Sequence, residues 1–444
     1  MKRIVVLGGG ESGMGAAVLA KIKGFEVFLS DKGTLGEEVR KTLRDYCIPF
    51  EEGGHTPEKI LNADEVIKSP GIPETVPLVA ELYRREISVI SEIEFAGRYD
   101  TAKKICITGS NGKTTTTSLI YYMLCNAGLN VGLGGNIGKS YAMQVATEQH
   151  DIYVLELSSF QLDGMYDFKA DIAVLLNITP DHLDRYGYVM QNYINSKFRI
   201  TRNMSREDCF IFCSDDEITV NELNKIVIQA KKLPFSQNTA VDEGAWSDGS
   251  QMHVNAGGST YDMMLEELSI KGRHNIYNSM AAAITGKIMQ IDNDSIRHSL
   301  SSFQGVEHRM EKVMSVGGVL YINDSKGTNV NSTWYALESV NTPIILILGG
   351  TDKGNDYTPI ADLVREKVRH IVCLGVDNKK IHDFFEGMVD SITDTLSAEE
   401  CVRKCAELAV PGDTVLLSPC CASFDLFKNY EDRGRQFKEA VRRL

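Results

Sequence analysis

Short apolar runs recur along the chain, and each ends in a polar, glycine-rich turn. Residues 4–8 form the first run, followed by Gly8-Gly9-Gly10-Glu11-Ser12-Gly13 and a helical pattern to about Lys23. A second run, 26–30, closes on Asp31, and a third, 65–68, leads into Ser69-Pro70-Gly71-Ile72-Pro73. Continuous apolar runs, unlike alternating ones, suit strands covered on both faces. With helical segments between them they predict parallel β-α-β units.

A new series starts near residue 93. Its strands are 104–108, then 152–155 ending at Glu156, then 172–176 ending in Asn177-Ile178-Thr179-Pro180-Asp181-His182. Residues 205–270 carry shorter strands and polar turns and read as a continuation of the same unit. Lys271 to Asn278 then open an Ala-rich helix over 279–289. After about residue 302 four more runs follow, 319–322, 344–348, 371–374 and 415–417, each before a polar loop. The pattern predicts an α/β fold of three α/β domains in series. They are a Rossmann-like domain over 1–92, a central sheet of P-loop ATPase type over 93–302, and a second Rossmann-like domain over 303–444.

Composition narrows the function. The chain has 444 residues, 43% hydrophobic and 24% charged, with net charge −13. That balance argues against general binding to nucleic acid or anionic membranes. An anionic ligand must then be held by local cations, backbone amides or metal. No apolar run approaches the roughly 20 residues that span a bilayer, and the N-terminus reaches Gly8 too soon for a signal peptide. Ten cysteines without metal-ligand spacing read as buried, reduced thiols of a cytoplasmic enzyme.

The strongest chemistry lies at Ile105-Cys106-Ile107-Thr108-Gly109-Ser110-Asn111-Gly112-Lys113-Thr114-Thr115, where strand, glycine turn and helix follow in order. Backbone amides and a helix N-terminus cradle phosphate, a lysine reaches the outer phosphates, and a hydroxyl ligates Mg²⁺. The loop is the short G-x-x-G-K-T, because Ile107 stands where the common P-loop has its first glycine. Glu156, ending a strand after this loop, fits a Mg²⁺-holding carboxylate, and His182 beside Asp181 fits a second metal ligand. Lys197 reads as an ordinary helix-surface lysine. Gly8 to Gly13 followed by Asp31 fits a dinucleotide fingerprint, yet equally a turn that lets helix and strand pack closely. Asn323 to Asn329, and Asp352-Lys353, place cations and donors where a carboxylate substrate or a ribose would bind.

Taken together, the motifs resemble the Mur ligases, the ATP-dependent amide-forming enzymes of peptidoglycan synthesis. The matching stretches are Thr108 to Thr115, Glu156 to Leu162, Asn177 to Asp184, Gly272-Arg273-His274-Asn275, His308 to Glu311 and Asn323 to Lys326. Ser418 to Gly434 is similar to the D-glutamate-adding branch.

The resemblance implies roles. The first domain would hold UDP-N-acetylmuramoyl-L-alanine instead of NAD, through Ser12, Gly13, Asp31, Ser69, Gly71 and Asn136. Lys32 departs from the small hydroxyl residue expected there. ATP would meet Gly109, Asn111, Gly112, Lys113, Thr114 and Thr115, with Asn275, Asn278, Arg309 and Asp324. Two Mg²⁺ ions are implied, one on Thr114 and Glu156, one on His182 and a carbamylated Lys197, which the family carries in Y-x-x-x-K. Lys113, His182 and Lys197 would be catalytic. D-glutamate would sit on Thr328, Lys353, Ser423, Phe424 and Tyr430. A monomer is expected. Competing readings are a family member adding another residue, folylpolyglutamate synthase, an NAD-dependent dehydrogenase or sensor, and a nucleotide-binding regulator without catalysis.

Overall fold

The computed structural model describes residues 1–352 and 354–444. Lys353, placed above at the amino-acid site, lies outside the described residues. Three sheets are present. The first contains β1 (Arg3–Leu7), β2 (Glu26–Ser30), β3 (Phe50–Glu51), β4 (Glu65–Lys68) and β5 (Ser88–Ile90). They run in the order β3-β2-β1-β4-β5, all parallel.

The second sheet contains β6 (Lys103–Thr108), β7 (Val131–Gly135), β8 (Ile152–Glu156), β9 (Ile172–Leu175), β10 (Cys209–Cys213), β11 (Lys231–Ser236), β12 (Gly244–Ser247), β13 (Gln251–Ala256) and β14 (Ser259–Met264). Its order is β14-β13-β12-β11-β10-β9-β6-β8-β7, and only β12, β13 and β14 pair antiparallel. The polar stretch 205–270 thus extends the sheet that contains β6, as its short strands suggest.

The third sheet contains β15 (Glu311–Val316), β16 (Val319–Asn323), β17 (Ile344–Gly349), β18 (Val368–Leu374), β19 (Ser391–Thr395) and β20 (Thr414–Cys420). Its order is β15-β16-β20-β17-β18-β19, with β15 antiparallel to β16. Four strands were expected here and six are found. The two extra strands, β15 and β19, are the edges, and edge strands stay partly wet and lack the apolar run that marks a central strand.

The chain forms two compact units, Met1–Glu267 with Tyr277–Ser301, and Leu268–Ile276 with Ser302–Leu444. In the first unit, one core runs from Ile4, Ala17 and Phe95 through Tyr141, Tyr153 and Leu175. Helix Glu11–Ile22 lies directly against helix Tyr141–Thr147. Ser140 caps the second of these helices and joins three segments. Its N–H donates to Glu11 Oε1 at 3.2 Å and its hydroxyl to Glu92 Oε1 at 2.7 Å. Glu92 is fully enclosed, and burial pushes its carboxyl up to about 7.

Gly15 is what lets the helices approach. A Cβ there would collide with Ser140 Oγ and come within 2.9 Å of the Met143 backbone nitrogen. Alanine inside a helix ordinarily adds up to about 1 kcal/mol over glycine. Gly15→Ala should instead lower the unfolding free energy by about 1–3 kcal/mol through overpacking, read as a lower urea midpoint. An unchanged or raised midpoint would show that the contact yields freely.

All ten cysteines are free, but not all are buried: Cys47 and Cys125 are exposed and Cys209 is half-buried. Among the described residues no helix is long and apolar enough to cross a membrane.

Candidate active site

The turn after β6 is held by its neighbours at the C-terminal edge of the nine-stranded sheet. Ser110 N–H donates to Asn177 O at 2.9 Å, and Asn111 N–H to Asn177 Oδ1 at 2.9 Å. Asn177 Nδ2 returns a bond to Asn111 O at 3.1 Å, and Ser110 Oγ bonds Thr179 O at 2.9 Å. The loop is therefore fixed by the segment that follows β9. Helix Lys113–Asn126 starts at Gly112, whose φ of +82° is the left-handed region that favours glycine. A Cβ at Gly112 would also lie 2.5 Å from Asn278 Oδ1, the oxygen that accepts a bond from Thr116 Oγ1 at 3.1 Å. Asn278 and the loop thus meet. Thr114 and Thr115 are buried in the helix's first turn.

Two lysines converge on this loop. Lys113 Nζ donates to Gly109 O at 2.7 Å and to Ser110 O at 2.8 Å. Lys197 Nζ donates to the same Gly109 O at 2.9 Å and to Thr108 Oγ1 at 3.3 Å. The helix-surface reading of Lys197 is wrong: only 1% of it is exposed. In helix Met190–Phe198, Lys197 shares its face with the buried Tyr193, Ile194 and Phe198. Its Nζ lies 5.2 Å from the Tyr193 ring centroid. Burial first, and the neighbouring Lys113 second, hold its pKa well below the ordinary lysine range. That shift favours the neutral amine, the form that reacts with CO₂.

Glu156 is 1% exposed and ends β8 in register with Ile107 of β6 and Gly135 of β7. Asn136 Nδ2 donates to Glu156 Oε1 at 2.7 Å, and Asn136 N–H to Glu156 O at 2.8 Å. This places the Asn136 amide on the carboxylate, a link that sequence alone does not show. A buried carboxylate beside a phosphate-type loop supplies the hard oxygen that Mg²⁺ prefers. His182 sits at φ +52°, with Nε2 3.7 Å from Asp181 Oδ2 and its ring 5.1 Å from that of Phe160.

In the first sheet, Asp31 accepts from Gly9 N–H at 2.5 Å and Gly33 N–H at 2.6 Å. Its carboxylate therefore braces the glycine turn. Gly13 lies under the Gly8 carbonyl, where a Cβ would collide. The close-packing reading of the G-x-G-x-x-G turn thus has direct geometric support. Ser69 N–H bonds Leu7 O at 2.8 Å and Ser69 Oγ reaches Gly8 O at 3.4 Å, so this loop and the glycine turn touch. Ser12 is half-buried, whereas Gly71 and Lys32 are exposed.

In the second unit, Asp324 is 2% exposed and accepts from Ser418 Oγ at 2.8 Å and Met310 N–H at 3.3 Å. Burial pushes its carboxyl up to about 6, against the pull of Arg309. Asn275 Nδ2 donates to Lys271 O at 2.8 Å. Ser423 is buried, Thr328 and Tyr430 half-buried, and Phe424 is 72% exposed. Sequence reasoning missed Arg433. It is fully buried, with Nε on Ser325 Oγ at 3.0 Å and Nη2 on Ser325 O at 2.8 Å and Cys421 O at 3.2 Å. It fixes the loops carrying Asp324 and Ser423. The available signal was spacing: Arg433 shares a helical face with the apolar Phe437 and Val441.

Known proteins match this arrangement. Residues 3–76 fit the MurD N-terminal domain, 107–286 the Mur ligase middle domain, and 308–421 the Mur ligase glutamate ligase domain. The chain is 58% identical over its full length to the full-length UDP-N-acetylmuramoylalanine–D-glutamate ligase of Bacteroides fragilis. It is 54% identical to the protein of that name from Porphyromonas gingivalis, over 99% of this chain and 98% of the relative. A solved structure of UDP-N-acetylmuramate-alanine ligase from Thermotoga maritima superposes over the whole of both chains with a TM-score of 0.64 at 17% identity, a likeness of fold.

Proposed function

The chain belongs to the Mur ligase family, and on that premise we propose that it joins D-glutamate to UDP-N-acetylmuramoyl-L-alanine in an ATP-dependent reaction of peptidoglycan precursor synthesis. The observation that carries the reading is the full-length match to relatives named for this reaction. The NAD-dependent and non-catalytic readings leave the lysines and carboxylate of the central site without a role.

A carboxylate does not react with an amine at neutral pH until it is activated. ATP passes its γ-phosphoryl to the L-alanyl carboxylate, giving an acyl phosphate and ADP. The D-glutamate amine attacks the carbonyl, and phosphate leaves as the amide forms. Both anions must be drawn together, so local positive charge is the main requirement. Lys113, now on its own loop's carbonyls, is placed to turn to the ATP phosphates. Thr114 and Glu156 would hold one Mg²⁺, and His182 with a carbamylated Lys197 a second. Mg²⁺, when bound, neutralises phosphate charge and orients the transferred group. The buried, depressed amine of Lys197 suits carbamylation, which would turn a group that repels metal into an oxygen ligand. His182 would also orient the incoming amine.

The same reading gives the domain roles. Residues 1–92 take the UDP-sugar through Ser12, Gly13, Asp31, Ser69 and Gly71, with Asn136 reaching in from the central sheet. Residues 93–302 take ATP, through the phosphate loop with Asn275 and Asn278; Arg309 and Asp324 are its further ATP residues. Residues 303–444 take D-glutamate through Thr328, Lys353, Ser423, Phe424 and Tyr430. It describes a monomer in the cytoplasm, where ATP and nucleotide sugars are made.

The test is phosphate release from ATP with UDP-N-acetylmuramoyl-L-alanine, comparing D-glutamate, L-glutamate and meso-diaminopimelate. Release should depend on D-glutamate and yield the UDP-linked dipeptide. Preference for another amino acid would overturn the acceptor assignment, and no release with any would overturn the reaction.

A further inference from the structure

Arg185 lies outside every role given above, yet it touches both the loop after β4 and the segment that carries His182. It follows His182 by three residues, in the short helix Leu183–Tyr186, and its own N–H bonds His182 O at 3.0 Å. Its guanidinium reaches across to the loop after β4. Nη2 donates to Pro70 O at 3.3 Å and Nη1 to Gly71 O at 3.4 Å. The guanidinium carbon sits 4.3 Å from the centroid of the Phe160 ring. That ring in turn meets His182 edge-on at 5.1 Å and stacks with Tyr186 at 6.2 Å.

The other carbonyls of this loop are also engaged. Ser69 O accepts from Ile72 N–H at 3.1 Å, and Ile72 O accepts from Lys68 Nζ at 2.8 Å. A carbonyl held by a cation is kept from presenting its lone pairs to an incoming diphosphate. Beside the guanidinium opens a cavity of about 250 Å³ lined by Lys68, Glu74, Phe160, Asp163 and Tyr186 among others. The fork shape matters here. A guanidinium can bond two successive carbonyls and stack on an aromatic face at once, whereas an ammonium cannot.

The geometry points to Arg185 as a positioning residue: it clamps the Ser69–Gly71 loop to the Phe160–His182 pair and so sets the L-alanyl carboxylate of the UDP-sugar in register with the phosphate loop. This rests on the reading of the reaction above. The test is Arg185→Ala and Arg185→Lys, measured by steady-state kinetics for all three substrates and by amide hydrogen exchange of the segment 65–76. Arg185→Ala should raise KM for UDP-N-acetylmuramoyl-L-alanine by roughly 10-fold or more, leave KM for ATP within about twofold, and speed exchange in 65–76. Arg185→Lys should not restore either. Unchanged exchange in 65–76 would overturn the clamp. So would a parallel loss for all substrates with a lowered melting temperature, which is what a merely structural role predicts. If the wild-type protein fails to use this UDP-sugar, the reading of the reaction falls, and the exchange result alone then decides the clamp.

Discussion

Replacing Lys113 with alanine should lower kcat by on the order of 10³-fold or more. The ammonium is the cation borne by the phosphate loop itself, and in the structure it rests on Gly109 O and Ser110 O, within the turn that would receive ATP. Swinging from those carbonyls to phosphate exchanges neutral acceptors for charged ones, which strengthens the bonds. Charge that shifts during transfer is then met by a preplaced cation. Without it, phosphate oxygens would sit in a tight loop that bears no cation of its own. The loop itself should survive, because Asn177 and Thr179 hold it independently of Lys113. Circular dichroism and the urea midpoint should therefore stay close to wild type. Near-normal turnover by the Lys113→Ala protein would sink the cradle assignment.

Lys197→Ala should be almost as inactive, for a different reason. Its amine is buried against Gly109 O and Thr108 Oγ1, beside a second cation, where an unmodified ammonium is poorly placed. As a carbamate it would bring a negative oxygen to the metal. Alanine removes both the amine and the carbamate and leaves a space the size of a long side chain. Short carboxylates such as formate should enter that space and restore part of the activity, while bicarbonate should not, since no amine remains to carry it. Full activity without any additive would refute a metal-ligand role for Lys197. Loss that no carboxylate relieves would favour a purely structural lysine.

What the sequence disclosed follows from how local each signal is. The phosphate loop is legible because its strand, glycines, lysine and helix are consecutive, and the structure assembles them as a continuous turn. Central strands are legible because both faces are covered. Edges β15 and β19 are not, because half-wet strands carry no continuous apolar run. Lys197 and Arg433 show the opposite failure. Both are charged residues on the apolar face of a helix; charge alone gives Lys197 a surface reading, and Arg433 receives no reading of its own. Reading spacing before residue type would have flagged them. The Asn136–Glu156 bond was out of reach, since it joins side chains 20 residues apart across two strand ends. The resemblance supplied Lys197 and Asn136, which physical reading of the bare chain did not.

The contact of Gly15 with Ser140 has a consequence for how such proteins can be recombined. Because the first sheet and the nine-stranded sheet share one apolar interior, a hybrid gene spliced near residue 92 takes helix Glu11–Ile22 from one parent and its partner helix from another. Glycine from one ancestor must then fit the serine, and the enclosed Glu92, of the other. Parents that differ at these few positions should give less stable offspring even where every catalytic group is retained. A seam near residue 302, where one compact unit gives way to the next, leaves that interior intact. The first sheet and the nine-stranded sheet should therefore be exchanged as one piece, and variation inside that piece should be introduced by substitution instead of splicing.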